Sequence, residues 1–219
     1  MPLSSLDIVF YYSDGATGPS NNTLSLGGTI SASTITDALA NNIFDDVTGD
    51  ESSAGDTEYR GIFVKDTNAT YTMINTKIWI TGYTRHATAT LADTIYMGCS
   101  TFVLGANTMG VCANESSSMN ETGIVWVTEG APSNTIGFNA SSIATTTSPF
   151  GATTLAAGSY FGVWFKRIVP AGAGAYSNRS VTIQVQCETT ASPYTQTITK
   201  EFKVEWSGNN FYVLPIKLP

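Results

Sequence analysis

Apolar residues occupy every second position in two runs that lie close together between Arg179 and Trp206. A period of two places one set of side chains on the buried face of a sheet and the other set in solvent. The link between the runs is short and contains Pro193, so the two runs predict a β-hairpin. The residues on its buried face are Val181, Ile183, Val185, Cys187, Ile198, Phe202, Val204 and Trp206.

The same alternation recurs along the chain and is interrupted by residues that favour turns. Many short strands of this kind predict an all-β fold, an antiparallel β-sandwich with a jelly-roll-like topology. We expect one domain over residues 1–219, with extended N- and C-terminal arms. One face of a strand should carry Ile74, Thr76, Ile78 and Ile80. The predicted strands are 6–12, 58–66, 72–80, 90–97, 123–128, 158–170, 179–188 and 197–206, and the segment 26–31 is a short strand or a connection.

One short helical turn is expected at 34–44. Ile35, Leu39 and Ile43 have helical spacing there, and Thr34 is suited to the N-cap position. The pair Asn41–Asn42 disfavours a longer helix.

The chain carries few charges, and most of them are acidic. Charged residues make up 12% of its 219 residues, against about 25% in average soluble domains, and the formal net charge is −7. Because phosphate binding requires a basic surface, this balance argues against a nucleic-acid partner. No apolar run approaches the ~20 residues of a membrane-spanning helix, and the N-terminus lacks the pattern of a signal peptide. We therefore expect no membrane partner and synthesis in a cytoplasm.

The middle of the chain, residues 86–165, contains no Lys or Arg. Neutral surface loops would account for this composition. A subunit interface would also account for it, because the cores of interfaces are depleted in charged residues. The sequence leaves both interpretations open.

The three cysteines are Cys99, Cys112 and Cys187. In a chain without a secretion signal, buried free thiols are the expected state. A disulfide between Cys99 and Cys112 is the alternative.

An acidic segment at 45–58 is the best candidate for a metal site. Hard cations such as Ca²⁺ prefer several carboxylate and carbonyl oxygens on a flexible loop, although the spacing here does not match an EF-hand. A solvated turn is the simpler interpretation, and a paired-carboxylate glycosidase site is a third. The candidate calcium ligands are Asp45, Asp46, Asp50, Glu51 and Asp56, and Glu58 completes the acidic group.

The sequence offers little that would support catalysis. Its single histidine, His86, would have to serve as the base of any serine or cysteine mechanism, and no nucleophile motif accompanies it. A zinc site built from His86 and the cysteines lacks the required close cysteine pair. We therefore predict that the protein is not an enzyme and has no catalytic residues.

Aromatic side chains offer a possible platform for sugar binding. In a β-sandwich most such rings belong to the core or to an interface instead. The candidates are Tyr11, Tyr12, Tyr83, Trp126, Trp164 and Tyr176.

Two stretches, 38–80 and 155–189, contain distinctive motifs: DDVTGDESSAGDTEYR at 45–60 in the first and GVWFKRIVPAGA at 162–173 in the second. Together with the opening DIVFYYSDGATGPSNNTLSLGGTIS at 7–31, they resemble small β-rich virion structural proteins of tailed bacteriophages. Within that group the chain is most like a head decoration, or cement, protein. We call the motif at 45–60 the acidic motif and the motif at 162–173 the basic motif.

The resemblance implies a non-enzymatic protein on the outer capsid surface of a virion, made in the cytoplasm of the host. Proteins of this kind typically form homotrimers that clamp neighbouring capsomers. The implied partner is therefore the major capsid protein, and the charge-poor middle and the termini would make the contacts. A tail or fibre component with a carbohydrate- or receptor-binding β-sandwich is the alternative.

Overall fold

The computed structural model describes residues 3–14, 21–99, 109–116, 125–128, 136–137, 154–174, 179–189 and 196–206. It contains one α-helix in these ranges, α1 (Gly49–Ala54), and 3-10 turns at Ser5–Asp7 and Ala89–Leu91. No helix in the described ranges is long and apolar enough to cross a membrane. The strands are β1 (Ile8–Ser13), β2 (Gly27–Gly28), β3 (Ile30–Thr34), β4 (Asp56–Asp66), β5 (Met73–Thr84), β6 (Thr94–Cys99), β7 (Met109–Val111), β8 (Val125–Val127), β9 (Ile136–Gly137), β10 (Thr154–Leu155), β11 (Tyr160–Val169), β12 (Arg179–Thr189) and β13 (Gln196–Trp206).

The described strands form two main antiparallel sheets and a small ribbon. Sheet I has the order β3-β1-β4-β11-β6-β8, and sheet II has the order β10-β5-β12-β13, with β9 also paired to β5. The ribbon joins β2 to β7. This arrangement confirms the all-β, antiparallel sandwich predicted from the alternation, and each predicted strand overlaps an observed one. The jelly-roll-like topology and the single domain stay predictions, and the terminal arms lie mostly outside the described residues.

Sheets I and II pack face to face over a shared apolar core. The rings of Phe10 on β1 and Phe202 on β13 stack across it with their centroids 4.1 Å apart. The β12–β13 hairpin pairs without a register shift from Arg179↔Trp206 to Thr189↔Gln196. Its predicted inward residues are all buried, so the alternation identified the core face correctly. Each such side chain contributes about 1.5–3 kcal/mol by leaving water.

A bulge in β5 changes one predicted face. Asn75 adopts a left-handed φ of 52°, and the pairing of β5 with β12 shifts register between Gln186 and Glu188. An extra residue in one strand exchanges the two faces beyond it. Met73 is therefore fully buried, whereas Ile74, which we expected on the core face, is only half-buried.

The helical turn expected at 34–44 is wrong. Thr34 still belongs to β3, and Ala38 and Asn41 adopt left-handed φ values of 54° and 59°. Side chains of Asp37 and Asn42 bond instead to the backbone of β13, and such local polar contacts compete with helix formation.

The helix lies in the acidic motif, where we expected a loop. Thr48 caps α1: its hydroxyl accepts from the Glu51 N–H at 3.3 Å, and the Glu51 carboxylate accepts from the Thr48 N–H at 2.7 Å. This reciprocal pair is a capping box, which satisfies two otherwise unpaired N–H groups.

A second cluster of apolar side chains covers the outer face of sheet I. It includes Phe63 and Trp164 from β4 and β11, and Met109 from the ribbon strand β7. Cys112 belongs to the same cluster, while Cys187 lies in the main core; both are buried and free. The prediction of buried free thiols is confirmed for these two, and Cys112 forms no disulfide. Burial raises the pKa of Cys112 to about 11 and that of Cys187 to about 12.

Candidate functional site

The acidic and basic motifs, far apart in sequence, lie side by side in sheet I. The acidic motif ends in β4 and the basic motif contains β11, and these two strands are hydrogen-bonded neighbours. Their register places Arg167 directly opposite Glu58. Glu58, Arg60 and Arg167 each lie an even number of positions from residues of the main core on the same strand. Their side chains therefore point between the two sheets.

Arg167 and Glu58 form a fully buried ion pair. The Arg167 Nε and Nη2 atoms both contact Glu58 Oε2. Arg167 Nη1 also donates to the backbone oxygen of Asp45 at 2.8 Å, and Nη2 lies 3.6 Å from Asp45 Oδ1. Arg167 is 0% exposed and Glu58 is 1% exposed, so neither charge is stabilised by bulk water. Removal of either partner of such a pair leaves an uncompensated charge in the interior.

Arg60 brings a second guanidinium into the same cluster. Its Nη2 atom donates to Glu115 Oε2 at 2.5 Å and lies 3.4 Å from Asp45 Oδ1 and 3.9 Å from Glu58 Oε1. Its other donors reach backbone oxygens of Asn22 and Tyr59. Arg60 is also 0% exposed. Three carboxylates therefore surround two guanidiniums, and we call these five residues the charge cluster.

Aromatic rings close the charge cluster on its core side. Phe44 lies under both guanidiniums, with ring centroid distances of 5.7 Å to Arg60 and 4.8 Å to Arg167. Trp206 is 6.0 Å from Arg167 and packs edge-on against Phe44. These contacts are cation–π interactions, which strengthen when the cation is desolvated. Burial raises the pKa of Glu58 to about 7, although Arg167 and Arg60 oppose the shift.

Outside the charge cluster the two motifs also meet through α1. The Ser52 carbonyl accepts from the N–H groups of Gly172 and Ala173 at 2.8 and 3.0 Å, and the Ser52 hydroxyl donates to the Ala173 oxygen at 2.7 Å. Gly55 follows α1 with a φ of 79°, and a Cβ atom there would lie 2.9 Å from the Ala171 nitrogen. The glycines and the small residues of both motifs therefore allow the helix to dock on the turn after β11.

A second buried group of polar side chains was missed by the sequence analysis. Asp93 Oδ1 lies 2.9 Å from Arg179 Nη1, and Asp93 Oδ2 accepts from Trp206 Nε1 at 2.7 Å. Tyr83 donates its hydroxyl hydrogen to the Asp93 backbone oxygen at 3.1 Å. The only signal in the sequence was an isolated Asp in a stretch that is poor in charge.

The proposed calcium ligands are distributed over two overlapping acidic groups. Asp45, Glu58 and Glu115 form one, and Glu51, Asp56 and Glu58 form the other, each with oxygens within 4.8 Å of one another. Asp50 lies in the first turn of α1, and neither group includes it or Asp46. The guanidiniums of the charge cluster already place positive charge beside the first group. Calcium binding stays a prediction, which a shift of the thermal melting midpoint on adding Ca²⁺ would support.

The candidate aromatic rings do not form one exposed platform among the described residues. Trp164 is 1% exposed, and Tyr11, Tyr12, Tyr83 and Trp126 are half-buried. The Tyr12 hydroxyl donates to the Asn42 oxygen at 2.6 Å, and the Lys166 ammonium lies 4.5 Å from the centroid of Trp126. Tyr176 lies outside the described residues.

The sequence assigned His86 no catalytic role, and the structure places it in a local turn. Its Nδ1 atom accepts from the Thr88 N–H at 3.0 Å, and its ring lies against Gly174. The prediction that the protein is not an enzyme stays a prediction. Much of the charge-poor stretch at 86–165 lies outside the described residues, so its two interpretations also stay open.

No family model and no curated protein matches the sequence. Among solved structures, the ASH/PapD-like domain 7 of human CEP192 is 12% identical, with coverage of 75% of this chain and 81% of that chain and a TM-score of 0.29. A family 123 glycoside hydrolase from Clostridium perfringens is 10% identical; 76% of this chain and 23% of that chain are covered, with a TM-score of 0.28.

The adhesive subunit CfaE of the CFA/I fimbria of enterotoxigenic Escherichia coli is 9% identical to the chain. The match covers 76% of this chain and 46% of the subunit, with a TM-score of 0.32. These three likenesses are too distant to carry an argument about function.

Proposed function

We propose that the protein is a non-enzymatic structural protein of a phage virion that binds the outer capsid surface and stabilises it by bridging capsomers. In this proposal it acts as a homotrimer, its partner is the major capsid protein, and it requires no cofactor. It would be made in the host cytoplasm and would bind neither nucleic acid nor membrane.

The observation that carries the proposal is the burial of charged side chains. In a chain with only 12% charged residues, several of them are buried inside the fold, among them Glu58, Arg60, Arg167, Asp93 and Arg179. The charge cluster joins the motifs on which the resemblance rests, so these motifs support the fold of the described residues. A surface left poor in charge suits burial against other proteins.

Exposed apolar side chains support the same proposal. Leu6 is 81% exposed and Leu39 is 54% exposed, and Leu24 and Val111 are also exposed. Single residues of this kind are common on protein surfaces. On a shell, however, every copy repeats the same contact, so modest affinity at each site is sufficient for stable decoration.

The test is binding to capsids that lack the protein. Purified protein should sediment with such capsids up to a fixed number of copies per capsomer and should raise the temperature at which the shell breaks open. Capsids that already carry the protein are the control and should bind no more of it. Free protein in the supernatant at every ratio would contradict the proposal.

A sugar- or receptor-binding component of a tail or fibre is the second candidate. It is favoured by the half-buried rings on the outer face of sheet I, where Lys65 lies 5.7 Å from the centroid of Tyr11 and Lys166 lies over Trp126. Replacing Trp126 by Ala should then weaken glycan binding. Trp79, a half-buried ring on β5, is the matched control and should have no effect when replaced. No glycan binding by the unaltered protein would exclude this candidate.

A further inference from the structure

Among the described strands, sheet II ends at β13, and part of the outer edge of this strand is covered. Lys203 and Glu205 direct their backbone groups away from β12, because both bond to the segment 37–42. That segment runs parallel to β13 at a bridge between Ala40 and Glu205. The bonds are Ala38 N–H to Lys203 O (3.2 Å), Asn41 N–H to Glu205 O (2.8 Å), Lys203 N–H to Asp37 Oδ1 (2.7 Å) and Glu205 N–H to Asn42 Oδ1 (3.1 Å).

The beginning of β13 has no such cover from the described residues. Pairing of β13 with β12 continues without a register shift, so backbone groups alternate between the two edges along its whole length. Thr197, Thr199 and Glu201 therefore direct their N–H and C=O groups outward, as Lys203 and Glu205 do. An edge of this kind is a template for another strand, and proteins commonly cover such edges.

A groove of about 790 Å³ lies beside this open edge. Thr197, Ile198 and Thr199 line one side, and the segments 3–7 and 67–70 line the rest. Its volume is within the range of about 300–1,000 Å³ that is typical of ligand pockets. Leu6, which is 81% exposed, borders the groove and offers apolar surface to whatever enters it.

We propose that the open edge of β13 at Thr197–Glu201 receives the C-terminal segment 207–219 of a second copy of this chain as an added strand. Main-chain hydrogen bonds would supply affinity, and the groove would receive alternate side chains, as in other cases of strand addition. The proposal concerns association between copies of this chain and does not require that the protein bind a capsid.

The chemistry of the segment 207–219 suits this edge. It reads SGNNFYVLPIKLP, which combines strand-forming residues with one charge, the positive charge of Lys217. The edge and the groove carry Glu201, Asp7 and Lys200, and their net charge of −1 is complementary to Lys217. Pro215 has no N–H group and is tolerated in a strand only where no donor is needed. If Pro215 faces away from β13, Tyr212 and Leu214 direct their N–H groups toward it.

The position of the segment favours a second copy over the same molecule. The segment follows Trp206, at the far end of β13 from the open edge. Residues 37–42 occupy the edge at Lys203 and Glu205, between Trp206 and the open positions. A chain that turned back at Trp206 to pair with its own β13 would meet this cover first.

Two variants of the full-length chain test the proposal. Thr199→Pro removes an outward N–H group and leaves the bonds to β12 intact, and Thr199→Val is its control because it keeps the donor. Tyr212→Pro combined with Leu214→Pro removes two donors from the C-terminal segment. Self-association would be measured by light scattering and sedimentation at micromolar concentrations, and melting curves would verify that each variant is folded.

We expect the unaltered chain to associate and each proline variant to raise the dissociation constant about tenfold or more, while Thr199→Val leaves it unchanged. Mixing the two proline variants should restore a heterodimer, because one supplies an intact edge and the other an intact segment. A monomeric unaltered chain, proline variants that associate normally, or a mixture that stays monomeric would each overturn the proposal. The last result would indicate pairing within one molecule.

Discussion

Glu58 and Arg167 face each other across β4 and β11, both fully buried, and join two motifs that are separated by more than a hundred residues of sequence. Their contact is part of a cluster in which Arg60, Asp45 and Glu115 neutralise one another's charges. Because the protein interior screens charge poorly, each member depends on the others for its stability.

Arg167→Met should therefore destabilise the protein strongly. The change leaves Glu58 buried beside one fewer guanidinium, and breaking a buried pair typically costs about 3–5 kcal/mol. Chemical unfolding at neutral pH measures the loss. Lys203→Met is the control, because Lys203 is 43% exposed and pairs with Glu205 at the surface. Loss of such a pair should cost about 0–1 kcal/mol.

The double variant Glu58→Gln with Arg167→Met sharpens this test. Removing both charges leaves no isolated carboxylate, so the double variant should be more stable than Arg167→Met alone. Equal or greater destabilisation in the double variant would show that Arg167 acts by packing against Phe44 rather than by charge.

The sequence predicted the strands better than it predicted the charge cluster, and the reason is physical. Alternation is a local property, so Val181 and Phe202 could be assigned to the core from their neighbours alone. The cluster depends on which strands pair, and Glu58 meets Arg167 only after β4 and β11 associate. The acidic motif therefore looked like a solvated or calcium-binding loop, because its arginine partner lies in the other motif.

Two local errors have different causes. The capping box of Thr48 and Glu51 was visible in the sequence, and giving it weight would have placed the helix correctly. The bulge at Asn75 had no comparable signal, because asparagine tolerates a left-handed backbone but does not by itself specify a bulge. Asp93 was likewise unpredictable, since Arg179 and Trp206 reach it from β12 and β13.

The stability of the protein should depend on the ionisation of Asp66. Asp66 is 0% exposed, its Oδ2 atom lacks a hydrogen-bond partner among the described residues, and burial raises its pKa from 3.8 to about 6. The folded state therefore binds the carboxyl proton of Asp66 more tightly than the unfolded state does. The resulting stabilisation of the fold is fully present below about pH 4 and is lost as the pH rises to about 6.

Asp66→Asn removes this titration. The difference in stability between the variant and the unaltered protein therefore reports the ionisation of Asp66 alone. The stability of the variant relative to the unaltered protein should rise between about pH 4 and about pH 6 and should then level off. Urea unfolding across this range measures the difference. A difference that falls with pH would mean that the folded protein favours the charged form of Asp66.

Gly55→Ala should disturb the docking of α1 on the turn after β11. The added Cβ would lie 2.9 Å from the Ala171 nitrogen, and the φ of 79° is strained for any residue with a side chain. Gly158→Ala is the matched control, because Gly158 has a φ of 77° but a Cβ atom added there would meet nothing within 4 Å. Gly158→Ala should lose about 1–2 kcal/mol from its positive φ. Gly55→Ala should lose more, because its ψ of 149° places it in a region essentially restricted to glycine and because its Cβ would meet the turn. Equal losses in the two variants would refute this prediction.

Thr48→Ala should weaken α1 without disturbing the core. Thr48 is exposed, so the change removes the cap that accepts from the Glu51 N–H and leaves packing intact. Loss of such a cap costs about 1 kcal/mol. Ser53→Ala, at an exposed position inside the same helix, should be neutral or slightly stabilising because Ala is the better helix former. Because α1 bonds to Gly172 and Ala173 through Ser52, the loss of the cap should also speed hydrogen exchange at these two amides. Unchanged exchange there in Thr48→Ala would show that the turn holds its conformation without the helix.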